Sequence, residues 1–280
     1  MRNIDTRTVD GFGEEWSAFT QDKLTDEQAQ DMFDKYFSLF DWDSLPRDAR
    51  GFDMGCGSGR WARLAAPKVG KLYCIDASEQ ALDVAKTNLQ DQRNCEFIHA
   101  SVDELPLENE SMDFAYSLGV LHHIPDTASG IKSCVDKLKP GAPFLVYLYY
   151  AFDNRPLWFR IVWKVSDVLR GFISHFPFKL KLLVTNVLAL LIYLPLAKLA
   201  LLLEKAGMNV DNIPLSTYRK MPLYMMRTDS LDRFGTRLES RFTKKEIRQM
   251  LEQAGLENIK FRDGVPYWCA IGVKKPLRDD

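Results

Sequence analysis

Gly51-Phe52-Asp53-Met54-Gly55-Cys56-Gly57-Ser58-Gly59-Arg60-Trp61 is the stretch whose reading decides the fold. A short apolar run carrying one acid, Asp53, breaks into three alternate glycines. These lead directly into Ala62-Arg63-Leu64-Ala65, which reads as the start of a helix. Strand, tight turn and helix start follow one another. Glycine permits positive φ and leaves no Cβ between the chain and a ligand lying across the turn. A dinucleotide turn needs G-x-G-x-x-G or -A: counted from Gly55 the last position is Arg60 and fails, while from Gly57 it is Ala62 and passes. Spacing alone leaves a dinucleotide and another nucleoside ligand both open.

Downstream, apolar runs alternate with helical periods. Lys71–Ile75 reads as a strand ending in Asp76, Ser78–Leu89 as a helix, Cys95–Ala100 as a third strand before Asp103, and Asp113–Leu118 as a fourth. A helix over 127–138, a Lys139-Pro140-Gly141 turn and a fifth strand over 143–150 complete the run. Strands alternating with helices, with special residues at the strands' carboxyl ends, predict a doubly wound, mostly parallel α/β sheet. Asp76 lies about 20 residues beyond the glycine turn, where a nucleoside-binding sheet places a carboxylate for the ribose hydroxyls. An aspartate capping the next helix is the plainer alternative.

The compact D-x-G-C-G-S-G block resembles the first motif of class I S-adenosylmethionine (SAM) dependent methyltransferases, in particular the type 11 family that includes the ubiquinone/menaquinone methyltransferases. Ala100-Ser101-Val102-Asp103 through Leu121-His122-His123-Ile124-Pro125-Asp126, then Leu138-Lys139-Pro140-Gly141, resembles that family's remaining motifs in the same order. The resemblance implies a seven-stranded sheet and a SAM cofactor with S-adenosylhomocysteine as product. By it, Asp53, Gly55, Cys56, Gly57, Gly59 and the backbone of Leu118 would line the methionine half. Asp76 and Ala77 would hold the ribose, and Asp103 with Val102 the adenine. An NAD(P)-dependent oxidoreductase and a non-catalytic SAM-binding module are the competing readings.

His122 and His123, at the end of the fourth strand, are the histidines placed at the predicted crevice edge and are candidate general bases. Tyr149, Tyr150 and Asp153 at the end of strand five are further catalytic candidates. One of the two histidines packing structurally is the competing expectation.

The ends bracket this core. Residues 1–45 form an N-terminal arm with Phe12, Trp16 and Phe19, either packed on the core or folded as a flap over the cofactor, followed by a helix opened by a Thr25 capping box. Thr243 and Glu246 open a second capped helix, and 256–261 with 267–273 read as a C-terminal antiparallel hairpin, so the core comprises 46–150 and 241–280.

Between these parts lies a helical insertion, 151–240. Residues 155–172 are amphipathic and basic, and 182–203 carry Lys198 as their only charge, long enough at about 33 Å to cross hydrocarbon. A single crossing would strand the hairpin on the wrong side of the sheet it completes. Pro195 therefore suggests a bent helix or helical hairpin on the surface. Eight Lys and Arg against three acids over 153–205 suit an anionic membrane face, with a lid or homodimer interface as the alternative. Arginines over 218–241 could hold an acceptor's carboxylate or phosphate, or form surface ion pairs.

Composition sets bounds. The 280 residues carry a formal charge of −1, which gives no basic field for nucleic acid. Five widely spaced cysteines make no C-x-x-C pair, and the first sixteen residues contain no apolar segment of the secretory kind. A cytoplasmic enzyme, peripheral to a membrane and acting on a small or lipid-linked acceptor, is the expectation.

Overall fold

The computed structural model describes residues 2–20 and 25–276. Two compact units emerge, one formed by 1–151 with 238–280 and the other by 152–237.

The first unit opens with α1 (Thr6–Ala18) and α2 (Asp26–Tyr36), the latter held by the reciprocal Thr25–Gln28 capping box. Then come β1 (Arg50–Met54), α3 (Ala62–Ala65), β2 (Lys71–Asp76), α4 (Glu79–Asn88), β3 (Cys95–His99), β4 (Phe114–Leu118), α5 (Thr127–Lys137) and β5 (Pro143–Tyr147). The sheet order is β3-β2-β1-β4-β5 followed by the two C-terminal strands, last in sequence next to β5. All pairings through β5 are parallel.

Alternation along each strand builds two cores. Phe52, Met54, Tyr73, Ile75, Phe144 and Val146 point to one face and bury α5 together with a later helix. Gly51, Asp53, Leu72, Cys74, Phe114 and Tyr116 belong to the other, where Phe33, Phe37, Trp61, Leu82 and Leu89 cover them. Helices on both faces leave the carboxyl ends of the parallel strands as the open edge.

The second unit contains α6 (Leu157–Ile173), α7 (Phe178–Leu188), α8 (Leu194–Lys205) and α9 (Leu223–Gly235). Of the two forms expected at Pro195, a bent helix or a helical hairpin, the hairpin is absent: one helix runs from Phe178 to Lys205. The reason is local: a π-helical turn, Ala189–Tyr193, precedes the proline. Its wider spacing makes room for a ring that would otherwise strike the carbonyl four residues back.

The chain rejoins the first unit for α10 (Lys244–Gln253), β6 (Leu256–Phe261) and β7 (Ala270–Lys274). β7 runs antiparallel to both β5 and β6, so the expected hairpin closes the sheet. Its second strand starts three residues later than the sequence pattern suggests, because Tyr267 and Trp268 pack on Tyr150. Strand five likewise stops at Tyr147, and Tyr150 makes an isolated bridge to Phe242 instead.

The α10 cap offers a direct check. The Thr243 hydroxyl accepts from the Glu246 N–H at 3.2 Å and the Glu246 carboxylate accepts from the Thr243 N–H at 2.8 Å. Replacing Thr243 with Ala should cost about 1 kcal/mol in denaturant unfolding, with the slope unchanged.

Candidate functional site

The glycine turn has the backbone its sequence requires. Gly55, Gly57 and Gly59 take φ of 78°, 53° and 77°. The Gly55 and Cys56 N–H groups both donate to the Ile75 carbonyl, which pins the turn to the end of β2. Asp76 completes the fastening: one carboxylate oxygen accepts from the Gly57 N–H and the other from the Ser78 N–H, each at 2.9 Å. Burial raises the Asp76 pKa, and these backbone donors oppose the rise. Ser78, not Asp76, is the N-cap of α4. Ala77 lends its carbonyl to His99 Nε2.

Asp53 is wholly buried, and neither carboxylate oxygen has a hydrogen-bond partner among the described residues. Burial pushes its pKa well above the ordinary carboxylate range, and the neighbouring Tyr116 hydroxyl, which falls outside hydrogen-bond geometry, opposes that rise only in part. Such an orphaned acid at a glycine turn fits a polar, cationic ligand group better than an apolar one. Gly119, at the end of β4 with φ of 81°, adds an opening: a Cβ there would meet nothing nearer than Tyr147 at 4.0 Å. Leu118, immediately before it, is buried. The residues present therefore fit a SAM molecule, with Asp76 free to accept further donors on its remaining lone pairs.

Asp103 is engaged by the N-terminal arm. It accepts from the Asn3 N–H at 2.9 Å and the Ser101 hydroxyl at 2.7 Å. Burial pushes its pKa upward, but the hydrogen bonds outweigh that and hold it below the usual carboxylate range. Val102 is buried in the core beside it. The Asn3 side chain makes a reciprocal pair with the Asp126 backbone at 2.7 and 2.8 Å. From that anchor α1 crosses the strand ends. Phe12 meets His123 with ring centres 4.9 Å apart, and the Trp16 ring lies 2.9 Å from where a Gly57 Cβ would stand. Arg60 covers Trp16 in turn, and Asn88 ties the Thr20 carbonyl to the Ser58 carbonyl. The arm thus lies over the turn.

The two histidines have different surroundings. His122 is completely enclosed, its ring 3.8 Å from Tyr149 and 4.0 Å from His123. Neither of its nitrogens has a partner among the described residues. Burial, then His123 and Arg241, hold its pKa well below the ordinary histidine value, so it stays neutral. His123 Nδ1 lies 2.7 Å from the Leu238 carbonyl. A carbonyl only accepts, so Nδ1 carries a proton, and in the neutral ring the lone pair is then on Nε2.

Tyr149, rather than Tyr150, stands with the histidines. Tyr150 faces Tyr267 and Trp268, because alternation after β5 turns the two tyrosines to opposite sides. Asp153 belongs to the other unit. Arg241 lies 4.9 Å over the Tyr149 ring, held by Glu239 at 2.8 Å, and Ser240 donates to the His122 carbonyl. Residues 238–241 were legible only as an arginine-containing loop, and no spacing marks Asn3 as the arm's anchor.

Two titrations follow, with opposite signs. A neutral buried His122 means the unfolded chain takes up a proton that the folded chain refuses. Stability is therefore full above about pH 6.5 and falls below it, by up to about 1.4 kcal/mol per pH unit. The raised Asp53 pKa means the folded chain holds its proton longer, so stability is lost as pH rises toward the folded value. Thermal unfolding from pH 5 to 8, in ~0.1 M salt, should show a smaller acid-side loss in His122→Phe than in the parent. Asp53→Asn should gain on the order of 1–3 kcal/mol at neutral pH by removing an unpartnered acid.

Comparison with known proteins agrees with this geometry. Residues 52–146 match a family model described as a methyltransferase domain. A ubiquinone biosynthesis O-methyltransferase of Aromatoleum aromaticum is 32% identical over 94 residues, 33% of this chain and 40% of that protein. A demethylmenaquinone methyltransferase of Bacillus licheniformis is 28% identical over 101 residues, 35% of this chain and 44% of that protein. The chain thus spans less than half the length of these curated relatives. A Bacillus halodurans crystal structure, described as that of a candidate methyltransferase, superposes with a TM-score of 0.51 at 16% identity, covering 81% of this chain and 71% of the other. At that identity the likeness speaks for the fold alone. With motif order, sheet order and family match in agreement, residues 52–146 are a methyltransferase domain of the class I, SAM-dependent kind.

Proposed function

We propose that this chain transfers a methyl group from SAM to an oxygen or carbon atom of a small, lipophilic or lipid-linked acceptor. We place it in the cytoplasm, peripheral to the inner face of a membrane. The observation that carries the catalytic part is the Leu238 carbonyl holding His123 Nδ1–H, which leaves Nε2 as the lone-pair nitrogen beside the glycine turn's arm. When bound, the cofactor supplies a methyl group already activated on a sulfonium.

The chain's own work is positioning and proton handling. Asp76 would accept the ribose hydroxyls while its bonds to Gly57 and Ser78 keep the turn in shape. Asp53, the turn and Leu118 would line the methionine half, and Asp103 with Val102 the adenine. Phe12 and Trp16 would present aromatic faces to a cation and exclude water. His123 Nε2 would take the proton of a phenolic hydroxyl or an acidic carbon as the new bond forms. His122, neutral and enclosed with Tyr149, would position the His123 ring. The ubiquinone and menaquinone relatives favour a quinone-like acceptor of this kind.

Two measurements test the proposal. Asp76→Ala should weaken S-adenosylhomocysteine binding in calorimetry by tenfold or more, the scale of lost charge-assisted bonds. His123→Gln should keep that affinity yet lower turnover of labelled SAM with quinol acceptors by about 10²–10⁴. Unchanged turnover would remove His123 from the chemistry. Binding without turnover on any acceptor would favour a non-catalytic SAM-binding module.

A further inference from the structure

The charges of this chain are divided. Residues 152–237 contain thirteen Lys and Arg against six Asp and Glu, a formal +7, whereas the remaining 194 residues carry 24 against 32, a formal −8. The near-neutral total hides a strongly basic unit. Exposed apolar side chains are divided the same way. Of nineteen large hydrophobics exposed among the described residues, eighteen lie between Leu157 and Met208 and one, Val265, lies in the other unit.

On α6 the pattern is sharp. Leu157, Ile161, Val162, Val165, Val168, Leu169 and Phe172 are each at least 50% exposed. At about 100° per residue they fall within one arc about 140° wide, with Arg160 and Lys164 along its edge. The opposite side is occupied: Arg233 lies over the Trp163 ring, and Arg170 binds the Thr236 and Arg237 carbonyls. The Phe178–Lys205 helix continues the theme, with only 22% of its most apolar stretch buried and Leu183, Leu191 and Leu202 open to solvent. Arg160, Lys164, Lys179, Lys198 and Lys205 are exposed, and none has an ion-pair partner among the described residues.

We infer that the exposed faces of α6 and of the 178–205 helix seat in the plane of an anionic phospholipid surface, with these five cations on the lipid phosphates. This deepens the membrane-peripheral reading above and does not depend on methyl transfer. The 178–205 helix has the length to cross hydrocarbon, but its neighbour forbids it. α9, which carries Arg227, Asp229, Asp232 and Arg233, packs along α7, with Arg227 bonded to Asn186 and Ser230 to the Thr185 carbonyl. Crossing would drag those ions into the hydrocarbon. Lying flat, the helix meets lipid along one side and keeps α9 in water. A second copy of the same face is the other occupant, and charge opposes it, since two +7 units would repel. Anionic lipid attracts each exposed cation by a factor of roughly five.

Flotation of the full chain with vesicles tests this. It should float with phosphatidylcholine–phosphatidylglycerol vesicles at ~0.1 M salt, release at ~1 M salt, and stay below vesicles of phosphatidylcholine alone. The double variant Arg160→Glu, Lys164→Glu should lose about tenfold or more in partitioning. Ile161→Asn with Val165→Asn, on the exposed arc where folding is not at stake, should also weaken binding. Failure to float with anionic vesicles at ~0.1 M salt, or equal flotation with both vesicle kinds, would overturn the inference. So would a dimer in sedimentation equilibrium that the apolar pair abolishes, since the occupant would then be a second copy. Titrating S-adenosylhomocysteine into the same samples reads the methyltransferase proposal separately, because loss of flotation leaves that affinity untouched.

Discussion

The fastening of the glycine turn by Asp76 is the interaction on which the rest depends. One carboxylate joins the turn after β1, through the Gly57 N–H, to the entry of α4, through the Ser78 N–H. The turn can form only because residues 55, 57 and 59 tolerate positive φ, and Asp76 can reach it only because β2 lies beside β1 in parallel register. A bare acid at the end of a buried strand is costly; here backbone donors stabilise it and leave acceptor capacity over. The local geometry of the site and the topology of the sheet are therefore the same fact seen at two scales.

The N-terminal arm turns that edge into an enclosure. Its hold is polar at one end, where Asn3 satisfies both Asp103 and the Asp126 backbone, and aromatic along α1, where Phe12 and Trp16 rest on His123 and the glycine turn. In the proposed reaction the arm would shield the cofactor from water.

Much of this was legible beforehand, for physical reasons particular to each element. The parallel strands announce themselves because burial on both faces leaves continuous apolar runs, and Thr25 and Thr243 announce helix starts because a cap needs a side-chain oxygen at a fixed offset. Tyr149 and Tyr150 could not be told apart in the sequence, because strand pairing after Tyr147 gives way to a single bridge at Phe242 and alternation turns the two rings to opposite sides. Pro195 left a bend and a break equally open, because a proline's cost can be absorbed by a widened turn and sequence period does not reveal a π segment. Leu238 and Asn3 act through backbone and amide groups brought close by more than 100 residues of chain. No local pattern encodes such contacts.

The division into a basic, apolar-faced unit and an acidic unit is what the proposed transfer to a lipid-resident acceptor would call for. The most direct test of the central claim is a crystal structure of the chain grown with S-adenosylhomocysteine. The account predicts density for the adenosyl compound against Gly55–Gly59, with its ribose hydroxyls on Asp76. An empty crevice in crystals that contain the compound, or the compound bound away from that turn, would contradict it.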